Sequence, residues 1–236
     1  MNDNSISLNK YISETGICSR READDWIETG RVKINGNIAK KGNRVFENDQ
    51  VTIDDKPLIE KPVLVYIALN KPAGISCTTD LADKDNIIDF INYPQRIFHI
   101  GRLDKPSTGL IFLTNDGDIV NEILRVENNH EKEYIVSVDK PVTQDFIEKM
   151  RNGIPMLGTM THKAVVEKIA KNVFKIILTQ GLNRQIRRMC SYLDYRVITL
   201  QRVRIMHIKL EGIPEGKWRY LTTEELQTLK GNLKKA

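Results

Sequence analysis

Several features that define protein classes are missing from this sequence. No apolar run approaches the ~20 residues of a membrane-spanning helix, so no membrane partner is expected. The opening Met-Asn-Asp-Asn-Ser places no basic stretch before an apolar core, so no secretory signal is expected. Cys18, Cys77 and Cys190 are odd in number and far apart, with no Cys-x-x-Cys, which argues against a disulfide framework and a structural zinc site. His99, His130, His162 and His207 are scattered without ligand spacing, and no metal is expected. Together these absences predict a chain of the reducing cytoplasm. What is present is ordinary for a globular protein. Of 236 residues, 40% are hydrophobic and 28% charged, which excludes bulk disorder. The length allows one or two domains and a core that needs no staples.

The net charge of +5 is distributed unevenly. Residues 1–62 carry 10 Lys/Arg and 11 Asp/Glu, whereas residues 180–209 carry seven cations and only Asp194. That run holds Arg184, Arg187, Arg188, Arg196, Arg202, Arg204 and Lys209. A local basic stripe is the footprint of a polyanionic partner; the alternative is a solvated face with acidic neighbours from elsewhere in the chain. Near the N-terminus, Arg31, Lys33, Lys40, Lys41 and Arg44 follow one another without an acid, and Arg20 and Arg21 precede them. A nearly neutral segment with one basic face suits phosphate binding.

Leu8, Tyr11 and Ile12 fit a short helix, and Ser19-Arg-Arg-Glu22 is a capping box for a second with Ala23, Trp26 and Ile27 on its apolar stripe. Gly30 stops it, and Asn35-Gly36 marks a hairpin between short strands, with further strands at Val45 and at Val51–Ile53. Residues 1–55 are thus expected to form a small module of two helices plus short strands. The charged, two-proline stretch 56–62 reads as a linker, and 63–236 as a larger domain. There, strands are predicted at 63–69, 97–100, 110–113, 134–138, 164–169, 173–178 and 197–200. Helices are predicted at 119–124, 144–150, 184–193 and 224–229, the last with a Thr222…Glu225 capping box. Many strands with few, irregularly spaced helices predict an α+β fold on a mixed, mostly antiparallel sheet with flanking helices.

Three segments stand out chemically. Two strand-like runs flank a loop with Asp104 between Arg102 and Lys105, followed by Pro-Ser-Thr-Gly109. A carboxylate among cations stays ionised at neutral pH, which suits a nucleophile; the plainer reading is a turn aspartate capping its own backbone. In Gln180-Gly-Leu-Asn-Arg-Gln-Ile-Arg-Arg-Met-Cys190, a glycine turn opens a helix on which Arg184 shares a face with Arg187 and Arg188. These guanidiniums suit phosphates or a carboxylate such as Asp104, or simply form a basic surface helix. Lys132-Glu-Tyr134 enters a strand, where the tyrosine either packs or offers a stacking face and a hydroxyl for proton traffic. Asn70-Lys-Pro-Ala-Gly74 reads as a strand-to-turn exit, and Asn115-Asp-Gly-Asp118 as a turn lacking calcium-loop spacing.

Gly101-Arg-Leu-Asp104 with Ser107-x-Gly109-Leu110, Lys132-x-Tyr134 and Gly181-x-Asn-Arg-Gln-Ile-Arg-Arg188, preceded by Asn70-Lys-Pro-x-Gly74, closely resemble the pseudouridine synthases of the small-subunit-rRNA synthase A family. Glu131-Lys-Glu-Tyr134 and Gly212-Ile-Pro-x-Gly-x-Trp-Arg219 are most similar to its large-subunit synthase F type. Ser19-Arg-Arg-Glu-Ala23 and Gly30-Arg-Val-x-Ile-Asn-Gly36 resemble a small RNA-binding module of a ribosomal protein. The resemblance implies that Asp104 is the nucleophile, that Tyr134 stacks under a flipped uracil and shares in proton removal, and that Arg187 pairs with Asp104. It implies isomerisation of a uridine in ribosomal RNA, of the large subunit first, with small-subunit rRNA or a tRNA as alternatives. A non-catalytic RNA-binding assembly factor is the remaining alternative. No cofactor is implied, and a monomer is expected. Arg20, Arg21, Arg31, Lys33, Lys40, Lys41, Arg102, Arg184, Arg188, Arg196, Arg202 and Arg204 are the expected RNA contacts.

Overall fold

The computed structural model describes residues 4–124 and 129–233. The chain divides into two compact units, the first comprising residues 1–65 with the short segments 93–97 and 115–117, the second the remainder.

The first unit contains β1 (Ile6–Ser7), α1 (Leu8–Glu14), α2 (Arg20–Glu28), β2 (Val32–Ile34), β3 (Asn37–Ile38), β4 (Arg44–Val45), β5 (Val51–Ile53) and β6 (Lys56–Pro57). Leu8, Ile12, Ala23 and Ile27 from the helices meet Val32, Val45, Val51 and Ile53 from the strands in one core. The start of α2 is fixed reciprocally: Ser19 Oγ accepts from Glu22 N at 3.2 Å, and Glu22 accepts from Ser19 N at 2.6 Å. That backbone bond holds the Glu22 carboxyl below its ordinary range. Asn35 and Gly36, both at positive φ, turn β2 into β3 as their sequence predicts. Asp54 and Asp55 also lie at positive φ and make a second tight turn, so Lys56–Pro57 pairs with β5. The expected linker therefore begins as a strand of the module's sheet.

The second unit contains β7 (Tyr66–Lys71), α3 (Ile87–Ile91), β8 (Phe98–Ile100), β9 (Thr108–Thr114), α4 (Gly117–Leu124), β10 (Lys132–Val138), α5 (Gln144–Asn152), β11 (Pro155–Met156), β12 (Thr159–Met160), β13 (Val165–Ala170), β14 (Val173–Leu178), α6 (Gln185–Tyr192), β15 (Val197–Ile205), β16 (Ile208–Lys209), β17 (Trp218–Tyr220) and α7 (Thr223–Leu233). Its sheet runs β13-β14-β10-β15-β9-β7-β17, with β8 on β9 and β16 on β15. The sheet is mixed and mostly antiparallel, as expected, with β15 parallel to β9. Val63 and Leu64, expected to begin the β7 strand, are instead exposed and outside it. β15 runs to Ile205, beyond its predicted end.

Two details of register position the site. First, Tyr134 pairs with Arg202, Arg202 with Gly109, and Gly109 with Lys71, so one row crosses β10, β15, β9 and β7. Gly109 is needed there: at φ +105°, an added Cβ would sit 2.2 Å from Arg202 O. Second, a bulge lies between Glu133 and Tyr134: Glu133 opposes Arg204 while Tyr134 opposes Arg202, leaving Val203 extra. The helices carry their own stops and starts. In α7, Thr222 Oγ1 accepts from Glu225 N at 3.1 Å and Glu225 accepts from Thr222 N at 2.8 Å, while Arg219 grips the same carboxylate at 2.6 and 2.7 Å. Among the described residues, no helix is long and apolar enough to cross a membrane.

Gly109→Ala is expected to destabilise the second unit by about 3 kcal/mol or more, because backbone, not a flexible side chain, blocks the methyl group. Urea unfolding followed by far-ultraviolet circular dichroism measures it. Ser19→Ala should cost about 1 kcal/mol in the first unit, read as a lower midpoint for its own transition.

Candidate active site

Asp104 sits in the loop between β8 and β9. The loop backbone is held from within the sheet edge. Gly74 N donates to Lys105 O at 2.8 Å, and Ser107 N donates to Asp104 O at 2.9 Å. Leu103 N donates to Cys77 Sγ at 3.3 Å. Beneath lies Lys71, a lysine with no exposed surface. Its ammonium donates to the carbonyls of Pro72 and Ile75 at 2.8 Å and of Lys105 at 3.3 Å. Burial lowers the Lys71 pKa, and the Asp104 charge acts in the opposite sense. Sequence reading treated this stretch as a turn exit and missed the lysine. The available signal was a lysine in the Asn-Lys-Pro exit of an apolar strand run.

The carboxylate is met by the start of α6. Asp104 Oδ2 lies 3.4 Å from Arg187 Nε and 3.5 Å from Arg184 Nη1. Arg187 Nη2 also donates to Ser107 Oγ at 3.0 Å, tying helix to loop. Arg184 occupies the helix cap in the left-handed region, at φ 50°. Both contacts exceed the ~2.7–2.9 Å of a charge-assisted hydrogen bond. The guanidiniums therefore supply field without clamping the oxygens, and the carboxylate side chain keeps 28% of its surface. Arg188 turns elsewhere, donating to Asn183 O and Oδ1 at 3.1 and 3.2 Å.

Tyr134 is reached across the sheet row and is 9% exposed. Lys132, two residues before it, is pushed down to about 8 by burial and then by the charge of Arg202. Its ammonium donates to His130 O at 3.1 Å. Sequence reading gave Lys132 no role of its own.

Two expected RNA contacts are corrected. Arg202 is 4% exposed and donates through Nε to Leu110 O at 2.6 Å, so it is a sheet residue rather than part of a surface stripe. Arg204 is committed to Glu133 and Glu131 at 2.8 and 2.9 Å, acids outside the basic run that offset its charge. Arg102, Arg188 and Arg196 are exposed. In the first unit, Arg31 holds Asp54 bidentately at 3.0 and 2.5 Å and stacks on Trp26. Lys33 and Lys41 hold Asp55 and Glu28, each at 2.6 Å. Arg20, Arg21 and Lys40 are exposed.

Comparisons with known proteins follow the same division. Residues 65–192 match the RNA pseudouridylate synthase family, and residues 7–51 match the S4 domain. The chain is 58% identical over 228 residues to the dual-specificity RNA pseudouridine synthase RluF of Salmonella typhi, covering 96% of this chain and 79% of that one. It is 32% identical to the ribosomal large subunit pseudouridine synthase B of Bacillus subtilis, covering 94% of this chain and 95% of the relative. A crystal structure of a pseudouridylate synthase superposes with a TM-score of 0.70 at 31% identity, over 95% of this chain and all of the other. With a matching catalytic region, an S4 domain ahead of it and relatives of this identity along nearly its whole length, the chain belongs to the RNA pseudouridylate synthase family.

Proposed function

We propose that this enzyme isomerises a uridine in ribosomal RNA, of the large subunit first, with Asp104 as nucleophile. The observation that carries the reading is one ionisable carboxylate held open between Arg184 and Arg187 on a loop anchored by a buried lysine. In this reading the target uridine leaves its stack at a cost of a few kcal/mol and settles against Tyr134. Asp104 attacks either the glycosidic carbon or the ring. The bond from ring nitrogen to sugar breaks, the ring turns, and a bond from ring carbon to sugar forms. The ring carbon loses its proton and the ring nitrogen gains one, so nothing is oxidised or hydrolysed. In this reading the Tyr134 hydroxyl takes part in that proton transfer, and Arg187, 3.4 Å from Asp104 Oδ2, is the cation paired with the nucleophile.

The B. subtilis relative is named for the large ribosomal subunit, which supports the first substrate. The S. typhi relative is named a dual-specificity RNA synthase, and a tRNA is proposed as the second substrate class. We place the enzyme in the cytoplasm as a monomer, the first unit acting as an RNA-binding module and the second as the catalytic domain.

Asp104→Asn should bring product below detection while the RNA dissociation constant stays within about threefold, because affinity comes largely from phosphate contacts elsewhere. Quantified pseudouridine in purified RNA beside a binding titration tests it; wild-type product overturns the assignment, and joint loss of binding makes Asp104 structural. Arg187→Lys should lower kcat more than it raises KM, since a point charge cannot serve Asp104 and Ser107 together. For the module, replacing Arg20, Arg21 and Lys40 with alanine should reduce the slope of log affinity against log salt by about one unit per cation that touches phosphate. Replacing Arg31, Lys33 and Lys41, already paired, should reduce it less; equal slopes for both sets remove that distinction.

A further inference from the structure

The helix that carries Arg184 and Arg187 starts without an ordinary cap. Its N-cap residue is Arg184 itself, left-handed at φ 50°, with no side-chain hydrogen bond to the first turn. A residue other than glycine persists in that conformation only where its surroundings hold it. The Arg184 side chain turns to Asp104 and, as a pure donor, offers nothing to the free N–H groups of the helix.

Two buried glutamines hold the start of α6 instead. Gln185, its first residue, is 5% exposed, and Gln180, two residues past β14, is 8% exposed. Gln185 Oε1 accepts from Leu182 N at 3.0 Å, so the side chain closes back on the turn that precedes its own helix. Gln185 Nε2 donates to Gln180 Oε1 at 3.3 Å, and the same oxygen accepts from His162 N at 3.1 Å. His162 is fixed in turn by its neighbour. Thr161 N donates to Ile154 O at 3.1 Å, and Ile154 N donates to Thr161 Oγ1 at 2.9 Å. Gly153 lies so close to Thr161 O that an added Cβ would sit 2.4 Å from it. Directional bonds therefore run from the Ile154–Thr161 pair, through His162 N and the two amides, to the first turn of α6. Buried amides are costly unless paired, and aliphatic side chains of the same size would fill this space. What the amides add is direction.

Direction matters because the far end of this relay has a narrow tolerance. Arg187 Nε is buried and has no hydrogen-bond partner among the described residues. Asp104 Oδ2 lies 3.4 Å from it, about half an ångström beyond a charge-assisted bond. A small slide of α6 one way closes that bond, and a slide the other way opens the pair. We propose that Gln180 and Gln185 are positioning residues for the isomerisation: their amide relay sets where α6 begins, and so how closely Arg184 and Arg187 approach Asp104. Both act through the arginines, and the role rests on Asp104 being the nucleophile.

The test measures kcat and KM for the full chain on a substrate RNA it converts. Gln180→Met and Gln185→Met should each lower kcat about tenfold and change KM less than about twofold. In an Arg187→Lys background, Gln185→Met should lower kcat less than about threefold, because the two changes share one path. The glutamate variants keep side-chain size. Gln180 serves the relay only as an acceptor, so Gln180→Glu should keep kcat within about threefold of wild type. Gln185→Glu sets two acceptors face to face and should lose as much as Gln185→Met. Its deficit relative to wild type should narrow as pH falls and the new carboxyl gains a proton to donate. Unchanged kcat in the methionine variants overturns the proposal. So do fully additive losses with Arg187→Lys, which mark general destabilisation, and equal losses in the two glutamate variants. Where a methionine variant fails to fold, the glutamate pair decides. Product from Asp104→Asn removes the nucleophile itself, whatever the glutamine variants show; glutamine variants that fail these expectations while Asp104→Asn abolishes product remove only the positioning role.

Discussion

The parallel contact between β9 and β15 is the constraint on which the catalytic unit depends. Gly109 lies against the Arg202 backbone at a distance no side chain tolerates, so the two strands approach at one register and no other. That register sets the row from Tyr134 through Arg202 and Gly109 to Lys71, and the row sets where the Asp104 loop leaves the sheet. Residues more than sixty positions apart are thereby placed with respect to one another by backbone hydrogen bonds. Such placement is more precise than side-chain packing alone provides. The glycine in Ser107-x-Gly109 belongs to the motif for this reason and has no part in the chemistry.

The charges of the unit fall into two groups. Lys71 and Arg202 are buried and Lys132 is half-buried, and loss of water shifts both lysines toward their neutral forms. Lys71 is held by main-chain carbonyls, and Arg202 donates through Nε to one, Leu110 O, while its Nη2 has no partner among the described residues. Removing charges from water is expensive, and carbonyl dipoles offset that cost without neutralising the charge. The region under Asp104 thus remains electropositive without a second carboxylate competing for its arginines. Arg184 and Arg187 then complete the field from the solvent side at distances that leave the oxygens accessible. A nucleophile requires this balance, because a fully clamped carboxylate is stabilised as a ground state and has less to gain by attack.

Much of this was legible in the sequence, wherever the signal was local. The reciprocal caps at Ser19–Glu22 and Thr222–Glu225 and the Asn35-Gly36 turn are encoded within four residues, and the structure contains all three. Most strand positions and the mixed, mostly antiparallel sheet followed from pattern more coarsely, whereas the strand order did not. The Asp54-Asp55 turn was hidden because two adjacent aspartates read as a solvated linker, although aspartate tolerates the left-handed conformation that such a turn demands. Lys71 was missed because lysine is among the least buried residues, and only the carbonyls of Pro72, Ile75 and Lys105, gathered by the fold, make its burial feasible.

The basic run at 180–209 shows why a one-dimensional charge count misleads. Its excess suggested a phosphate-binding stripe, yet the bulge at Val203 sends Arg202 and Arg204 to opposite faces of β15. Arg202 becomes an internal support, and Arg204 becomes half of a network with Glu131 and Glu133, at the start of a strand some seventy residues earlier. One inserted residue thus converts a stripe into two separate devices. On one face the guanidinium lies buried in the sheet, donating to Leu110 O. On the other, a neutralised guanidinium walls a cavity whose lining carries no net charge.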